Sequence, residues 1–254
     1  MRAVILAGGV GSRLSEETRI VPKPMVRIGD RPIIWHIMNH YASYGVTDFV
    51  VALGYKGYVI KEYFANYQSH EADFTVNLRT GAREYISAPD VDWTVTLVDT
   101  GLESMTGGRL KRVAPYLGER FMLTYGDGLS DVNLHSLLRY HEQMGATATV
   151  TAVRPAARFG AISIRDGYVN SFSEKPAEAR DRINGGFFVM ETAFLERLTD
   201  DSCVLERAPL AGLAEKGGLA AYEHDGFWMP MDTLREKDEL EAMWATGQAP
   251  WLRR

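Results

Sequence analysis

The segment Ala7–Leu14, AGGVGSRL, sets three glycines and an arginine directly behind a short apolar run. Glycines at 8, 9 and 11 let backbone N–H groups approach a polyphosphate closely, and Arg13 adds a fixed cation with fork geometry. Two phosphate-binding designs fail on spacing. A dinucleotide fingerprint aligned on Gly9 and Gly11 puts Leu14 where the third glycine belongs. A Walker A loop needs a closing Gly-Lys-Ser/Thr, which is absent. What remains is a strand, a glycine loop and Arg13, a combination suited to a triphosphate. A tight turn carrying a surface arginine accounts for the same residues, so other segments must decide.

Lys23 lies between Pro22 and Pro24, which predicts a lysine presented from stiff, extended backbone. A charge held that way acts without reorganisation, although an ordinary surface lysine also fits. TYGDG, Thr124–Gly128, closes an apolar run and puts Asp127 at the carboxyl end of a strand, where α/β sheets bind ligands. One or two carboxylates plus substrate phosphates is the usual way to hold Mg²⁺, and a structural Asp turn is the alternative. SMTGGRLKR, Ser104–Arg112, places Thr106 as a helix N-cap before two glycines, leaving N–H groups open to an anion beside Arg109. SEKP (173–176) and NGG (184–186) each set a charge or amide next to a backbone breaker; a polar turn and a bulge explain them equally. The six histidines, at 36, 40, 70, 135, 141 and 224, fall outside every motif and read as structural.

These groups need elements to position them. Arg2–Ala7 reads as a buried strand, 32–44 as a helix with proline at its first turn, and 49–53 as a second strand, which together make a βαβ unit. Helical periodicity follows over 59–67, around Leu110–Leu117 and over 134–144; strands are expected at 95–98, 121–125 and 147–153. Shorter β segments (161–164, 168–172, 186–190) precede two late helical stretches. The alternation predicts an α/β fold with a mostly parallel sheet covered on both faces. With no repeat or linker composition, residues 1–254 are expected to form one unit, the C-terminal third packing against the first sheet.

Across 254 residues, 28 Lys+Arg against 33 Asp+Glu leave a net charge of −5, which excludes a general field for nucleic acid or an anionic membrane surface. Cys203 is the single cysteine, and no Cys/His spacing suits zinc. Ala3–Ala7 is too short for a signal-peptide core and no apolar run reaches membrane-spanning length, so a reducing cytoplasm is expected.

Leu6–Leu14 followed by Pro22–Pro24 resembles the L-A-G-G-x-G-[ST]-R-L … P-K-P signature of sugar-1-phosphate nucleotidyltransferases. Longer strings run nearly end to end: GYKGYVIKEYFANY (54–67), VTLVDTGLESMTGGRLKRV (95–113), TYGDG, RFGA (158–161), INGGFFV (183–189) and FWMPMDTLRE (227–236). They are similar to the branch of that family that uses CTP and glucose 1-phosphate. The resemblance implies a three-layer α/β/α, Rossmann-like nucleotidyltransferase fold with a mostly parallel mixed sheet and a small additional β region. It implies a nucleotide site of Leu6, Ala7, Gly8, Gly9, Gly11, Ser12, Arg13, Lys23, Ser104, Arg109 and Gly126. It further implies Mg²⁺ on Asp127 and Asp232, and a sugar-phosphate site of Glu174, Lys175, Asn184 and Gly185. Arg13, Lys23, Asp127 and Lys175 would carry catalysis. Asp232 follows from the resemblance alone, because MDT (231–233) otherwise reads as a helix N-cap.

The resemblance also implies a homo-oligomer, a hexamer, with the aromatic segment around Tyr58, Tyr63, Phe64 and Tyr67 near subunit contacts. Ser12 stands where many relatives have Thr, and Met229 where close relatives often have Gln. Two alternatives stay open: the same chemistry with UTP, dTTP or GTP or another sugar phosphate, and a nucleotide-sensing subunit without turnover. The second would be expected to lack Arg13, Lys23 or Asp127, all of which are present.

Overall fold

The computed structural model describes residues 1–155, 161–165, 168–173 and 182–252. Its centre is an eight-stranded mixed sheet. Thr94–Asp99, Asp48–Leu53, Arg2–Ala7 and Arg120–Tyr125 run parallel in that order. Phe188–Glu191 then pairs antiparallel with Arg120–Tyr125, Ala148–Val153 pairs antiparallel with Phe188–Glu191, and Leu219–His224 lies parallel to Ala148–Val153.

Alternation along the first strand creates the layers. Ala3, Ile5 and Ala7 join a core with Ile33, Ile37, Tyr41, Ile60, Leu137 and Leu240, from helices on one face. Val4 and Leu6 join a second core with Leu110, Val113, Leu210 and Leu213, from helices on the other. Each fully buried aliphatic side chain contributes about 1.5–3 kcal/mol relative to exposure, so both faces hold the sheet. The expected helix after Pro32 runs Ile33–Ala42, with Pro32 as the extended N-cap residue.

The C-terminal third packs against the first sheet as expected, Leu240 and Trp251 on one face and Leu210 and Leu213 on the other, and Phe188–Glu191 and Leu219–His224 also extend that sheet edge to edge with Ala148–Val153. Two expectations change. The strand expected from residue 186 starts at Phe188, because Gly186 and Phe187 take positive φ, 75° and 47°. Phe187 is rare there as a non-glycine. It is fixed by stacking on Tyr41, ring centroids 5.8 Å apart, and by Thr151 Oγ1 donating to its carbonyl at 2.8 Å. Finally, Phe74–Val76 and Arg83–Tyr85 form a hairpin unanticipated from sequence, since three-residue strands are too short to show a period. Ala161–Arg165 and Tyr168–Ser173 pair as a separate antiparallel ribbon, the additional β region. Among the described residues, no helix is long and apolar enough to cross a membrane.

His36 and His40 are held as neutral rings, burial lowering the pKa of each. His36 donates from Nε2 to the Ile28 carbonyl at 2.9 Å and accepts at Nδ1 from Trp251 Nε1 at 3.2 Å. His40 donates from Nε2 to the Val132 carbonyl at 3.0 Å, and burial lowers its pKa from 6.5 to about 4, with the Val132 bond and Asp131 opposing the shift. A depressed folded-state pKa gives stability that is complete above pH 6.5 and is lost as pH falls towards 4, because the unfolded chain takes the proton first. Between pH 7 and pH 5 this group should cost about 2 kcal/mol. Urea unfolding at the two pH values should show that loss shrinking by about the same amount in His40→Gln. An unchanged pH dependence in the variant would show that His40 titrates alike folded and unfolded.

Candidate active site

The carboxyl ends of the parallel strands surround a cavity of about 340 Å³. All eleven residues expected at the nucleotide line it: Leu6 through Arg13 except Val10, together with Lys23, Ser104, Arg109 and Gly126. Pro24, Met105, Thr106, Tyr125 and Asp127 complete the wall.

Two of these residues do something other than expected. Arg109, 5% exposed, donates from its two terminal nitrogens to the carbonyls of Leu53, Gly101, Gly8 and Leu102 and to Thr100 Oγ1, at 2.7–3.1 Å. Burial disfavours its charge, and those oxygens stand in for water. Its guanidinium lies so close to Gly8 that a Cβ there would sit 2.2 Å from it. Gly8 is therefore required by the arginine that braces the loop, which the spacing of a phosphate loop alone would not suggest. The second correction concerns the helix at Thr106–Val113, whose N-cap is Met105 rather than Thr106. Its first N–H groups are not open to an anion. Met105 N donates to the Asp201 carbonyl, and Gly107 and Gly108 donate to the Cys203 carbonyl. The glycines admit that backbone: a Cβ on Gly108 would stand 2.6 Å from Asp201. Ser104 Oγ is also engaged, donating to the Thr100 carbonyl.

A chain of alternating charges runs beside the cavity. Arg13 Nη1 lies 2.7 Å from Asp232, Lys23 Nζ lies 2.6 Å from Asp232, and Lys23 Nζ lies 2.7 Å from Asp127. Lys23 is 8% exposed. Its backbone is not extended, as sequence predicts, but opens a short 3₁₀ turn, Lys23–Met25, with Pro22 as the extended cap residue. That turn aims the side chain inward. A lysine buried like this is tolerated because two carboxylates receive it.

Asp127 and Asp232, more than a hundred residues apart, meet through a short ribbon. Trp228–Pro230 pairs antiparallel with Gly128–Ser130, and Met231 N donates to the Asp127 carbonyl at 2.8 Å. Helix capping does not occupy Asp232. Thr233 and Glu236 form a reciprocal capping box for the Leu234–Ala245 helix, leaving the Asp232 carboxylate to the cations. The T-x-x-E spacing (233–236) was the sequence signal that could have separated these roles.

Of the residues expected at the sugar phosphate, Asn184 Nδ2 donates to Tyr125 Oη at 3.0 Å, and the Gly185 carbonyl accepts from Trp228 Nε1 at 2.8 Å. Asn184 thus adjoins the cavity through Tyr125, which lines it. Tyr125, which lines the cavity, was not singled out within TYGDG, because the chemical signal of that motif was Asp127. Glu174 and Lys175 lie outside the described residues. Among the described residues no group of three His, Cys, Asp or Glu could hold a metal. Ser130, His224 and Asp131 look like a hydrolytic triad but are not one. Both partners approach the same nitrogen, Nε2, at 3.4 and 2.9 Å, and Ser130 donates to the Phe227 carbonyl instead.

Comparison with known proteins identifies the family. The chain is 53% identical over 253 residues to glucose-1-phosphate cytidylyltransferase of Salmonella typhimurium, covering 99% of this chain and 98% of that one. It is 44% identical to probable glucose-1-phosphate cytidylyltransferase of Bacillus subtilis, covering 99% of each. The crystal structure of HddC from Yersinia pseudotuberculosis superposes with a TM-score of 0.69 at 21% identity, covering 96% of this chain and 99% of that one, a likeness of fold. The nucleotidyl transferase family model matches residues 2–214. On the family match and the full-length identity, the chain belongs to the nucleotidyl transferase family.

Proposed function

We propose that the protein transfers a cytidylyl group from CTP to α-D-glucose 1-phosphate, giving CDP-glucose and pyrophosphate. The observation that carries the reaction type is the Arg13–Asp232–Lys23–Asp127 chain beside a glycine-lined cavity. The choice of substrates follows the full-length relative from Salmonella typhimurium.

The sugar phosphate oxygen attacks the α-phosphorus of CTP in line. A new P–O bond forms to the sugar phosphate, and the bond to the β-phosphate oxygen breaks, its electron pair leaving with pyrophosphate. The nucleophile is already anionic near neutral pH, so the step needs no general base, in keeping with a cavity wall that contains no histidine among its described residues. What the protein must do is gather anions and neutralise them. Arg13, with its side chain 68% exposed, can leave Asp232 for a phosphate at little cost, whereas Lys23 is held in place. The glycine loop supplies backbone N–H groups at Gly9 and Gly11. Lys175, with Glu174, Asn184 and Gly185, serves the sugar phosphate.

Asp127 and Asp232 fit a hard divalent cation. They are oxygen donors that already converge on one positive group, Lys23 Nζ, and substrate phosphates would complete the ligand set. Held there, Mg²⁺ would neutralise phosphate charge as the leaving group departs. Consumption of nucleoside triphosphates places the enzyme in the cytoplasm.

Pyrophosphate release with glucose 1-phosphate and each of CTP, UTP, dTTP and GTP tests the assignment. Cytosine presents an amine donor where uracil presents a carbonyl, and one hydrogen-bonded discrimination of this kind corresponds to roughly 10- to 100-fold in kcat/KM in favour of CTP. Equal rates with UTP would overturn the choice of base. No release with any nucleotide would overturn the reaction.

A further inference from the structure

Beside the cavity, a hydrogen-bonded path joins its nucleotide wall to the sugar-side loop. Thr106 Oγ1 donates to Glu206 Oε2 at 2.7 Å, and Tyr125 Oη donates to Glu206 Oε1 at 2.6 Å. Asn184 Nδ2 donates to Tyr125 Oη at 3.0 Å, and Asn184 Oδ1 accepts from Gly186 N at 2.9 Å. Leu205 N donates to Thr106 Oγ1 at 2.9 Å, tying the path to the chain that carries Glu206.

The directions in this path follow from two groups, the Glu206 carboxylate at one end and the Gly186 N–H at the other. A carboxylate only accepts, so both hydroxyl hydrogens are committed to Glu206. With its hydrogen spent, Tyr125 Oη can only accept from Asn184, and the amide must turn its nitrogen to the tyrosine and its oxygen to Gly186 N. Burial and the neighbouring carboxylate push the Tyr125 phenol well above its ordinary pKa, which keeps it a donor. Were Glu206 neutral or absent, the tyrosine hydrogen could swing to Asn184 Oδ1. It would then compete with Gly186 N for that oxygen, leaving the Gly186 bond alone to hold the amide in this orientation.

We infer that Glu206 is a positioning residue: acting through Tyr125, it reinforces the polarity that Gly186 N gives Asn184, so that amide N–H, not carbonyl, is offered to the sugar phosphate. The second Nδ2 hydrogen, which has no partner among the described residues, is then available to an oxygen of that substrate. The inference rests on the reaction proposed above, in which Asn184 faces glucose 1-phosphate.

The test is steady-state kinetics of E206Q, Y125F and the double variant, varying each substrate separately. Gln can donate towards the tyrosine and so reverses the polarity; Phe removes the relay while keeping the ring. Each single variant should raise KM for glucose 1-phosphate about five- to twentyfold, a clearly larger rise than in KM for CTP. The double variant should be no worse than the more impaired single, because both break the same path. A KM for glucose 1-phosphate within twofold of wild type, or equal rises in both KM values, would overturn the inference, the latter marking a merely structural role. Y125F is nearly isosteric and decides the matter should E206Q fail to fold. If the wild type itself turned over no nucleotide with any sugar phosphate, the proposed reaction would fall first and the role of Glu206 with it.

Discussion

Lys23→Met should lower kcat/KM by about 10³-fold while leaving a folded protein. Loss of one preorganised charge at a reacting centre typically costs 10²–10³, and Lys23 lies at the severe end because its ammonium is buried and fixed by two carboxylates. In the variant, Asp127 and Asp232 would face the incoming polyphosphate with Arg13 alone between them and it, and Arg13 touches only Asp232. Removing one partner of a buried ion pair costs about 3–5 kcal/mol of stability when the charge left behind is fully buried. Asp127 keeps a third of its side chain in water, so the penalty should fall below that range. Kinetics together with urea unfolding separate the two effects. Activity within tenfold of wild type in a folded Lys23→Met would show that the ammonium serves the carboxylates rather than the substrate. Lys23→Arg should not rescue, since a planar fork cannot replace a compact ammonium bridging two carboxylates in a buried turn.

How much of this was legible beforehand depended on where the signal lay. The first strand is a continuous apolar run, and its division into two cores follows from a period of two, so the layered fold was readable from Arg2–Ala7 onward. The same holds for the long helices at Ile33–Ala42 and Leu134–Met144. The break at Asn184–Phe188 was not readable. Gly186 announces a left-handed turn, but the positive φ of Phe187 is imposed by Tyr41 and Thr151, residues distant in sequence. Tertiary packing overrode a local preference there.

The site divides the same way. Glycines, prolines and a terminal aspartate carry local geometry, so the Gly8–Arg13 loop, Lys23 and Asp127 stood out one by one. Their partnership did not, because Lys23–Asp127 and Lys23–Asp232 span 104 and 209 positions. Arg109 shows the converse failure. A helix beginning Thr-Gly-Gly-Arg suggests an anion site, yet the glycines serve backbone from Asp201–Cys203 and the arginine serves five oxygens. Sequence shows which groups are available; the fold decides which of them are already satisfied.

Asp127→Asn and Asp232→Asn should each reduce kcat by about 10²-fold or more, but with different secondary consequences. Asp127 touches one cation and is a third exposed, so its neutral analogue should fold normally and show mainly a higher requirement for Mg²⁺, roughly 10- to 100-fold. Asp232 touches both Arg13 and Lys23 and has a side chain only 11% exposed. Its loss leaves Lys23 with Asp127 alone and releases Arg13, so this variant should combine the activity defect with measurable destabilisation. Titrating Mg²⁺ against initial rate in both variants, with urea unfolding in parallel, distinguishes them. Folded Asp127→Asn with wild-type turnover at the wild-type Mg²⁺ concentration would remove that carboxylate from the metal site. The asymmetry follows from placement: Asp127 ends a turn at the cavity wall, whereas Asp232 sits behind it, where the same carboxylate must also organise the cations.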